Sequence, residues 1–299
     1  MDILSRPEVR AATAERRAVV ALESTIITHG LPRPDNLVLA RRLEEVVAEN
    51  GAVPATIGVL DGHVHVGLTD AGLAALAERP DVLKLSIRDL APAVAGGRSG
   101  GTTVSATAHL AARAGLAVFA TGGLGGVHRG AAITRDVSAD LDTLARTPIT
   151  VVCSGVKSLL DVPATLEYLE TLGVPVLGYR TREFPGFYLR STGLPVDWPV
   201  ESAAEVAAVV REHRALGGGG VLVVNPVPDA VALDPALHDA ALEEALAAAD
   251  AEGVRGKAVT PFLLADLQRR LGPSAVAANV ALVESNAALA SHIAVALAS

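Results

Sequence analysis

Lys157 is the residue whose position most directly suggests chemistry. It lies a short turn beyond the apolar run 149–153, which is typical of a buried strand. Burial disfavours the charged form of a lysine, and the neutral amine can attack an aldehyde carbon. Lysines near strand ends more often form ion pairs or extend into water, so this interpretation depends on the groups around Lys157.

Two other segments contain groups that such a reaction would use. Glu23 ends the apolar run 18–23 and supplies a carboxylic acid. The glycine-rich stretch 122–126, followed by His128 and Arg129, offers backbone N–H groups and side-chain donors that can hold an anion. The same stretch also fits a tight connection that uses the positive φ angles open to glycine.

A third segment is acidic. Asp136 and Asp140 lie four residues apart and Asp142 follows, a pattern that is common at helix amino termini and needs no ligand. An oxygen-rich site with few protein ligands also suits Mn²⁺ or Mg²⁺ that keeps most of its waters. Thr102 and Thr103, at a predicted helix start, are either ordinary caps or part of a phosphate site.

Several other patterns lead to weaker hypotheses. The glycine stretch does not match the dinucleotide motif G-x-G-x-x-G, and the segment 256–258 lacks the first glycine and the Ser/Thr of a P-loop. His63 and His65 share one side of a predicted strand, and we interpret them as a solvated face. Cys153 is the only cysteine, which excludes an intrachain disulfide and favours a reducing, cytoplasmic setting.

The composition limits the classes of ligand. Half of the 299 residues are hydrophobic and only 3% are aromatic, which indicates an aliphatic core without the stacking platforms of single-strand nucleic-acid binders. The net charge of -8 disfavours polyanions, so the expected phosphate belongs to a small molecule. Residues 1–17 lack the apolar segment of a signal peptide and are predicted to be an amino-terminal extension.

Alternating strand-like and helical patterns predict an α/β fold with three αβα layers around a mostly parallel sheet. The dipeptide Asp61-Gly62 predicts a hairpin between 56–60 and 63–67, which makes the sheet mixed. Residues 18–299 contain no linker and are predicted to form a single catalytic domain. The apolar stretch 275–298 is interrupted by polar residues and is predicted to be a buried helix, not a membrane span.

The remaining elements follow the same periodicities. The predicted strands are 18–23, 82–86, 117–121, 149–153, 174–179 and 221–225, and the predicted helices are 35–50, 102–114, 138–146, 161–172, 203–216 and 235–251. In open α/β sheets ligands collect at the carboxyl ends of strands. Glu23, the glycine stretch, Lys157 and Asn225 each follow a predicted strand, so we expect them at one edge.

The order and spacing of these blocks resemble the pseudouridine-5′-phosphate glycosidase family. The similar segments are 21–30, 51–56, 88–90, 101–104, 121–130, 136–140, 149–157, 256–257 and 260–264, so the resemblance covers about residues 18–297. It implies an enzyme of nucleotide catabolism that cleaves or forms the carbon–carbon bond between uracil and ribose 5-phosphate. It also implies a homotrimer.

The resemblance also implies roles for individual residues. Glu23 corresponds to the proton donor, Lys157 to the nucleophile, and Asp136 to the ligand of one Mn²⁺ per subunit, with Mg²⁺ as the alternative ion. The expected substrate-binding residues, including those of the phosphate site, are Lys84, Thr103, Val104, His128, Arg129, Ser138, Ala139, Asp140 and Asn279.

The chemistry fits these residue types. An imine between Lys157 and ring-opened ribose provides an electron sink, while Glu23 protonates the ring oxygen. An ordinary two-carboxylate glycosidase using Glu23 and Asp140 is the competing mechanism. A Schiff-base aldolase or lyase for another sugar phosphate, and a sensor that binds sugar phosphates or nucleotides without turnover, are the alternative functions. The physiological direction, and a role in pigment formation, stay open at this point.

Overall fold

The computed structural model of the chain describes residues 3–255 and 259–299. The block 256–257 and the P-loop comparison at 256–258 therefore lie outside the described residues. Within the described ranges the strands form one mixed, 11-stranded sheet. They are β1 (Ile3–Ser5), β2 (Val19–Leu22), β3 (Val53–Leu60), β4 (His63–Val66), β5 (Leu83–Leu85), β6 (Gly100–Thr102), β7 (Val118–Ala120), β8 (Thr150–Cys153), β9 (Val176–Tyr179), β10 (Trp198–Val200) and β11 (Val221–Val224).

The helices cover the sheet. They are α1 (Pro7–Ala14), α2 (Asp35–Glu49), α3 (Asp70–Glu78), α4 (Leu90–Ala95), α5 (Val104–Arg113), α6 (Ala131–Thr134), α7 (Ala139–Arg146), α8 (Val162–Thr171), α9 (Ala203–Ala215), α10 (Pro235–Ala251), α11 (Val259–Leu271) and α12 (Pro273–Ala298). Short turns of π-helix (Ile26–Gly30) and 3₁₀-helix (Ile87–Asp89 and Asp229–Val231) add to them.

Successive residues of the central strands enter two different hydrophobic cores. In β2, Val19 and Ala21 belong to the core under α1, α5, α7, α8 and α10, whereas Val20 and Leu22 belong to the core under α2, α9 and α12. Because successive strand residues point to opposite faces, both faces of the sheet are covered. The three-layer αβα prediction is confirmed.

The strand order is β1-β4-β3-β2-β7-β8-β11-β9-β10, with β6 pairing to both β3 and β5. Pairing is antiparallel between β3 and β4 and between β3 and β6, and parallel in the other pairs of the described sheet. Asp61 and Gly62 have φ angles of 48° and 78°. The predicted hairpin and the mixed sheet are therefore confirmed.

The chain's first described residues are part of this architecture. Ile3–Ser5 pairs in parallel with β4, and Val9 and Ala12 of α1 are buried in the core. At the other end, α12 is long and apolar enough to cross a membrane by length and composition alone, the one such helix among the described residues. It packs on α2, α9 and the central strands, as expected for a buried core helix.

Candidate active site

The central strands β2, β7, β8 and β11 are parallel neighbours, so their carboxyl ends lie side by side. This places Glu23, the glycine stretch and Lys157 at one edge of the sheet. Asn225 also ends a strand there, but its Nδ2 atom donates to Ser285 Oγ and Asn286 Oδ1, each at 3.0 Å. Asn225 therefore fastens α12 to the sheet.

A cavity of about 450 Å³ opens at this edge. The predicted site residues that line it are Glu23, Lys84, Thr103, Val104, His128, Asp136, Ser138, Ala139, Asp140, Lys157 and Asn279. Arg129 is absent from its lining within the described part of the chain, and its Nε donates to the carbonyl of Leu159 at 3.3 Å. Eleven of the twelve residues predicted from separate segments thus share one cavity.

Glu23 is the acid of this cavity. Its Oε1 atom accepts a hydrogen bond from the hydroxyl of Thr121, at the end of the neighbouring β7. Burial raises the pKa of Glu23 above its ordinary value, and the charge of Asp140 acts in the same direction. Lys157, the Thr121 hydrogen bond and Lys84 oppose this rise. Glu23 is therefore suited to hold a proton that it can transfer.

Lys157 is positioned by a turn at the end of β8. Its backbone N–H donates to the carbonyl of Leu124 at 3.1 Å. Gly155, two residues earlier, has a φ of 83°, and a Cβ atom there would lie 2.0 Å from the carbonyl oxygen of Pro185. Glycine is thus required for the turn that directs the chain from β8 to Lys157.

Lys84 is a second lysine in the same cavity. It lies on β5, which pairs with β6 beside the first turn of α5. Burial lowers the pKa of Lys84, and the charge of Lys157 lowers it further, whereas Glu23 and Asp140 raise it. Two lysines and two carboxylates therefore interact electrostatically across one small volume.

The glycine stretch is close-packed, and positive φ angles do not account for it. None of Gly122, Gly123, Gly125 and Gly126 has a positive φ, so that explanation of the stretch is wrong. A Cβ atom at Gly123 would lie 2.5 Å from the ring of Phe187. The N–H groups of Leu124, Gly125 and Val127 donate within the protein, to Gly155, Asp140 and Thr165, so these three are not available to an anion.

Asp140 joins two of the segments that line the cavity. Its side chain is buried, with 7% of the residue exposed. Oδ1 accepts the N–H of Ser105 in the first turn of α5, and Oδ2 accepts the N–H of Gly125, both at 2.9 Å. Ser138 caps α7 by accepting the N–H of Asp140 at 3.2 Å. Asp140 thus holds the glycine stretch against α5.

Asp136 and His128 lie side by side in another part of the cavity lining. Nδ1 of His128 lies 3.9 Å from Oδ2 of Asp136. Burial lowers the pKa of His128, Asp136 opposes this, and Lys157 and Lys84 reinforce it. The described residues contain no group of three or more His, Cys, Asp or Glu side chains that could enclose a metal. A carboxylate facing an open cavity does fit a hard cation that keeps most of its waters.

Sequence reasoning missed several lining residues, among them His29, Arg88, Phe187 and Gln268. His29 follows the Glu23 strand within the segment 21–30, and burial together with Lys84 lowers its pKa. Arg88 lies on a short 3₁₀ turn, and its position in the segment 88–90 was the available signal. Phe187 and Gln268 belong to no recognisable motif.

A titratable acid and two lysines in a cavity at the carboxyl edge of a mostly parallel sheet, with helices on both faces, define an α/β enzyme of the kind that acts on small polar substrates. A family model described as "Indigoidine synthase A like protein" matches residues 8–296. Curated proteins named pseudouridine-5′-phosphate glycosidase from Streptomyces griseus and Salinispora tropica are 60% and 58% identical. Each alignment covers 97% of this chain and, respectively, 91% and 90% of the relative.

Two solved structures have the same fold. The prealnumycin C-glycosynthase AlnA, in complex with ribulose 5-phosphate, matches with a TM-score of 0.92 and 42% identity, covering 99% of this chain and 97% of that one. An indigoidine synthase A-like protein of Thermotoga maritima matches with a TM-score of 0.89 and 38% identity over the same shares. The chain belongs to the pseudouridine-5′-phosphate glycosidase family, also described as indigoidine synthase A-like. The resemblance found in its sequence is confirmed.

Proposed function

We propose that this protein reversibly cleaves pseudouridine 5′-phosphate to uracil and ribose 5-phosphate, as a step of nucleotide catabolism. Relatives that share up to 60% of its residues over nearly the whole chain are named for this glycosidase activity. The observation that carries the mechanism is the buried Glu23, with its raised pKa, in the same cavity as Lys157 and Lys84.

In the proposed mechanism Lys157 is the nucleophile and Glu23 the proton donor. The free amine of Lys157 attacks ribose carbon 1, and Glu23 protonates the ring oxygen as its bond to that carbon breaks. The nitrogen lone pair then forms an imine while the bond to uracil carbon 5 breaks, and that carbon takes up a proton. Water hydrolyses the imine to release ribose 5-phosphate.

The cavity favours this mechanism over the two-carboxylate alternative. An ordinary glycosidase needs a second carboxylate that can attack the sugar or activate water. Both oxygens of Asp140 already accept backbone N–H groups at 2.9 Å, so Asp140 is poorly placed for either task. The lysines that line the cavity have no role in the two-carboxylate scheme.

We assign ribose 5-phosphate to the part of the cavity around Lys84. The proposed contacts are Lys84, Thr103, Val104, His128, Ser138 and Ala139, with Asp140 acting through the backbone of the segments that it joins. Asn279 is assigned to the substrate as well. Arg129 supports this region through its bond to Leu159 and is not assigned a contact.

Asp136 is the proposed protein ligand of one Mn²⁺ per subunit, or of Mg²⁺. When bound, the ion would supply positive charge near substrate oxygens. Dialysis against a chelator should remove most activity, and Mn²⁺ should restore it in the parent protein but poorly in Asp136→Ala. Full activity after exhaustive chelation would refute this assignment.

The remaining proposals concern the whole chain. We assign catalysis to residues 18–299 as one domain, propose a homotrimer, and propose a cytoplasmic location. The sole cysteine, Cys153, is buried in the core, and burial raises its pKa to about 12, so it has no thiolate chemistry to contribute.

The substrate assignment is tested by comparing two isomers. Pseudouridine 5′-phosphate and uridine 5′-phosphate share the phosphate and the ribose, so a preference between them must arise at the glycosidic bond. We expect uracil release from the carbon-linked isomer to be at least ~100-fold faster, on the order of one lost transition-state interaction. Comparable rates would indicate an ordinary nucleosidase. No turnover of either isomer, with retained binding, would indicate a sensor.

A further inference from the structure

The cavity has two chemically different ends. Lys84 of β5 brings a basic side chain to one end, beside the first turn of α5 and on the β3 side of Glu23. The other end is lined by Phe187, Pro261, Leu264, Gln268 and Asn279, which carry no charge. In the proposed assignment the phosphate binds at the end that carries Lys84, which leaves the second end for the uncharged part of the substrate.

Phe187 is fixed in an unusual conformation at the uncharged end. Its φ of 63° is uncommon for a bulky residue, and such conformations concentrate at functional sites. Its backbone N–H donates to the carbonyl of Ser154 at 2.9 Å, three residues before Lys157. Its ring lies against Gly123 on one side and packs edge-on against Tyr188, with centroids 4.6 Å apart. The ring is therefore held close to the proposed nucleophile.

The second wall of this end is one face of α11. Pro261, Leu264 and Gln268 are spaced three and four residues apart, which places them on the same side of the helix. Gln268 lines the cavity and partly offsets the effect of burial on the pKa of Tyr188, although the Tyr188 hydroxyl makes no hydrogen bond within the described part of the chain. Gln268 thus presents a carboxamide within an otherwise apolar wall, and Asn279 of α12 presents another.

We propose that Phe187 and this face of α11 form the uracil-binding wall, and that Gln268 is a specificity-determining residue that recognises the edge of the base. This inference rests on the proposed function. Uracil presents a carbonyl, an N–H and a second carbonyl along one edge. A carboxamide offers both donors and an acceptor, so it can match part of that edge, and the flat ring can pack beside Phe187.

The test uses the synthetic direction, in which the two halves of the substrate are separate molecules. Michaelis constants for uracil and for ribose 5-phosphate are measured with the parent, Gln268→Leu and a control, Tyr188→Phe. The control removes the hydroxyl beside Gln268 and retains the ring. If Gln268 acts only by positioning Tyr188, the control should show the same defect as Gln268→Leu. Thermal unfolding of each variant verifies that the fold is retained.

We expect Gln268→Leu to raise the Michaelis constant for uracil about tenfold, because one hydrogen bond to the base is lost. The Michaelis constant for ribose 5-phosphate should change less than twofold. Tyr188→Phe should change neither constant by more than about twofold. An unchanged constant for uracil, equal effects on both substrates, or the same uracil defect in Tyr188→Phe would overturn the inference while leaving the proposed function intact. A parent protein that joins no uracil to ribose 5-phosphate would overturn the proposed function itself.

Discussion

Glu23 and Lys157 bring a carboxylic acid and an amine into one cavity, and the surroundings of Glu23 alter its acidity. Both follow strands whose residues are buried, and β7 is the one strand between β2 and β8. Burial raises the pKa of Glu23, while Lys157 and Lys84 prevent it from rising freely. A carboxylic acid that remains close to neighbouring amines can give up its proton when an alkoxide develops nearby.

The raised pKa of Glu23 predicts a stability cost that depends on pH. Its proton is bound more tightly in the folded than in the unfolded chain, so the stability it contributes is complete below the ordinary pKa of 4.5 and is lost as pH rises through the folded pKa. Glu23→Gln removes this dependence. Thermal unfolding should therefore show Glu23→Gln melting above the parent at pH above the folded pKa, with the difference shrinking as pH falls towards 4.5 and absent below it.

The same variant should lose at least ~100-fold in turnover, because a glutamine cannot transfer the proton. The matched control is Glu45→Gln, an exposed glutamate of α2 that pairs with Arg42. It should change neither turnover nor the pH dependence of melting. A Glu23→Gln protein that melts below the parent at high pH, with the difference disappearing at low pH, would show that Glu23 is ionised and stabilising in the fold.

Residue types and strand ends made Glu23 and Lys157 candidates, whereas the family resemblance singled out Asp136. The role of Asp140 was beyond reach, because its partners Ser105 and Gly125 are 35 and 15 residues away and are bound through their backbones. No side-chain pattern marks a backbone N–H as a partner. A carboxylate that holds two segments together is therefore indistinguishable in sequence from one that binds substrate.

At the scale of elements, the glycine stretch after β7 owes its composition to packing. A Cβ atom on Gly125 would lie 2.4 Å from Ser138 Oγ and 2.6 Å from Asp140 Oδ2. Gly125→Ala should therefore disturb both the cap of α7 and the bond between Asp140 and the stretch. We expect a loss of about 1–3 kcal/mol in the free energy of unfolding, measured by urea denaturation, together with reduced turnover.

Gly96→Ala is the control for this prediction. Gly96 ends α4 with a φ of -89°, and its nearest neighbour to an added Cβ atom would be the carbonyl oxygen of Pro92 at 3.1 Å. Only a slight adjustment is needed there, so stability should change by less than about 1 kcal/mol. If the two substitutions destabilise the protein equally, the close contacts of Gly125 with Ser138 and Asp140 are not the reason for a glycine at position 125.

Elements with strong periodicity were predicted within a few residues, whereas the strands β1, β6 and β10 were not predicted. β6 consists largely of glycines, which favour no strand, yet a Cβ atom at Gly101 would lie 2.3 Å from the hydroxyl of Thr28. Glycine is needed at this position because the turn 26–30, which carries His29, packs directly on β6. Tertiary packing therefore determines this strand, and a local pattern cannot reveal it.

At the scale of the whole molecule, alternating apolar residues predicted helices on both faces of the sheet, but they could not determine the strand order. β11 lies between β8 and β9, although β9 comes first in the chain. Parallel strands joined by long crossovers permit several such orders, and the choice depends on how the helices pack. The shared edge of Glu23 and Lys157 needed only that their strands run parallel in the same sheet.

The proposed homotrimer predicts a measurable mass. Light scattering at micromolar concentration should report about three times the chain mass of 30.5 kDa. The long apolar helix α12 is largely occupied by contacts within its own chain. Exposed apolar side chains elsewhere, such as Ile133, Trp198 and Leu216, are better candidates for the contact surface. A monomeric mass would contradict the proposal.

The most direct test of the account is to trap the imine on Lys157. Incubation with ribose 5-phosphate and borohydride should add one reduced sugar phosphate per chain, located at Lys157 by peptide mass analysis and absent from Lys157→Ala. Lys84→Ala, which removes the other lysine of the cavity, should still form the adduct at Lys157. An adduct at Lys84, or efficient uracil release by Lys157→Ala, would contradict the proposed mechanism.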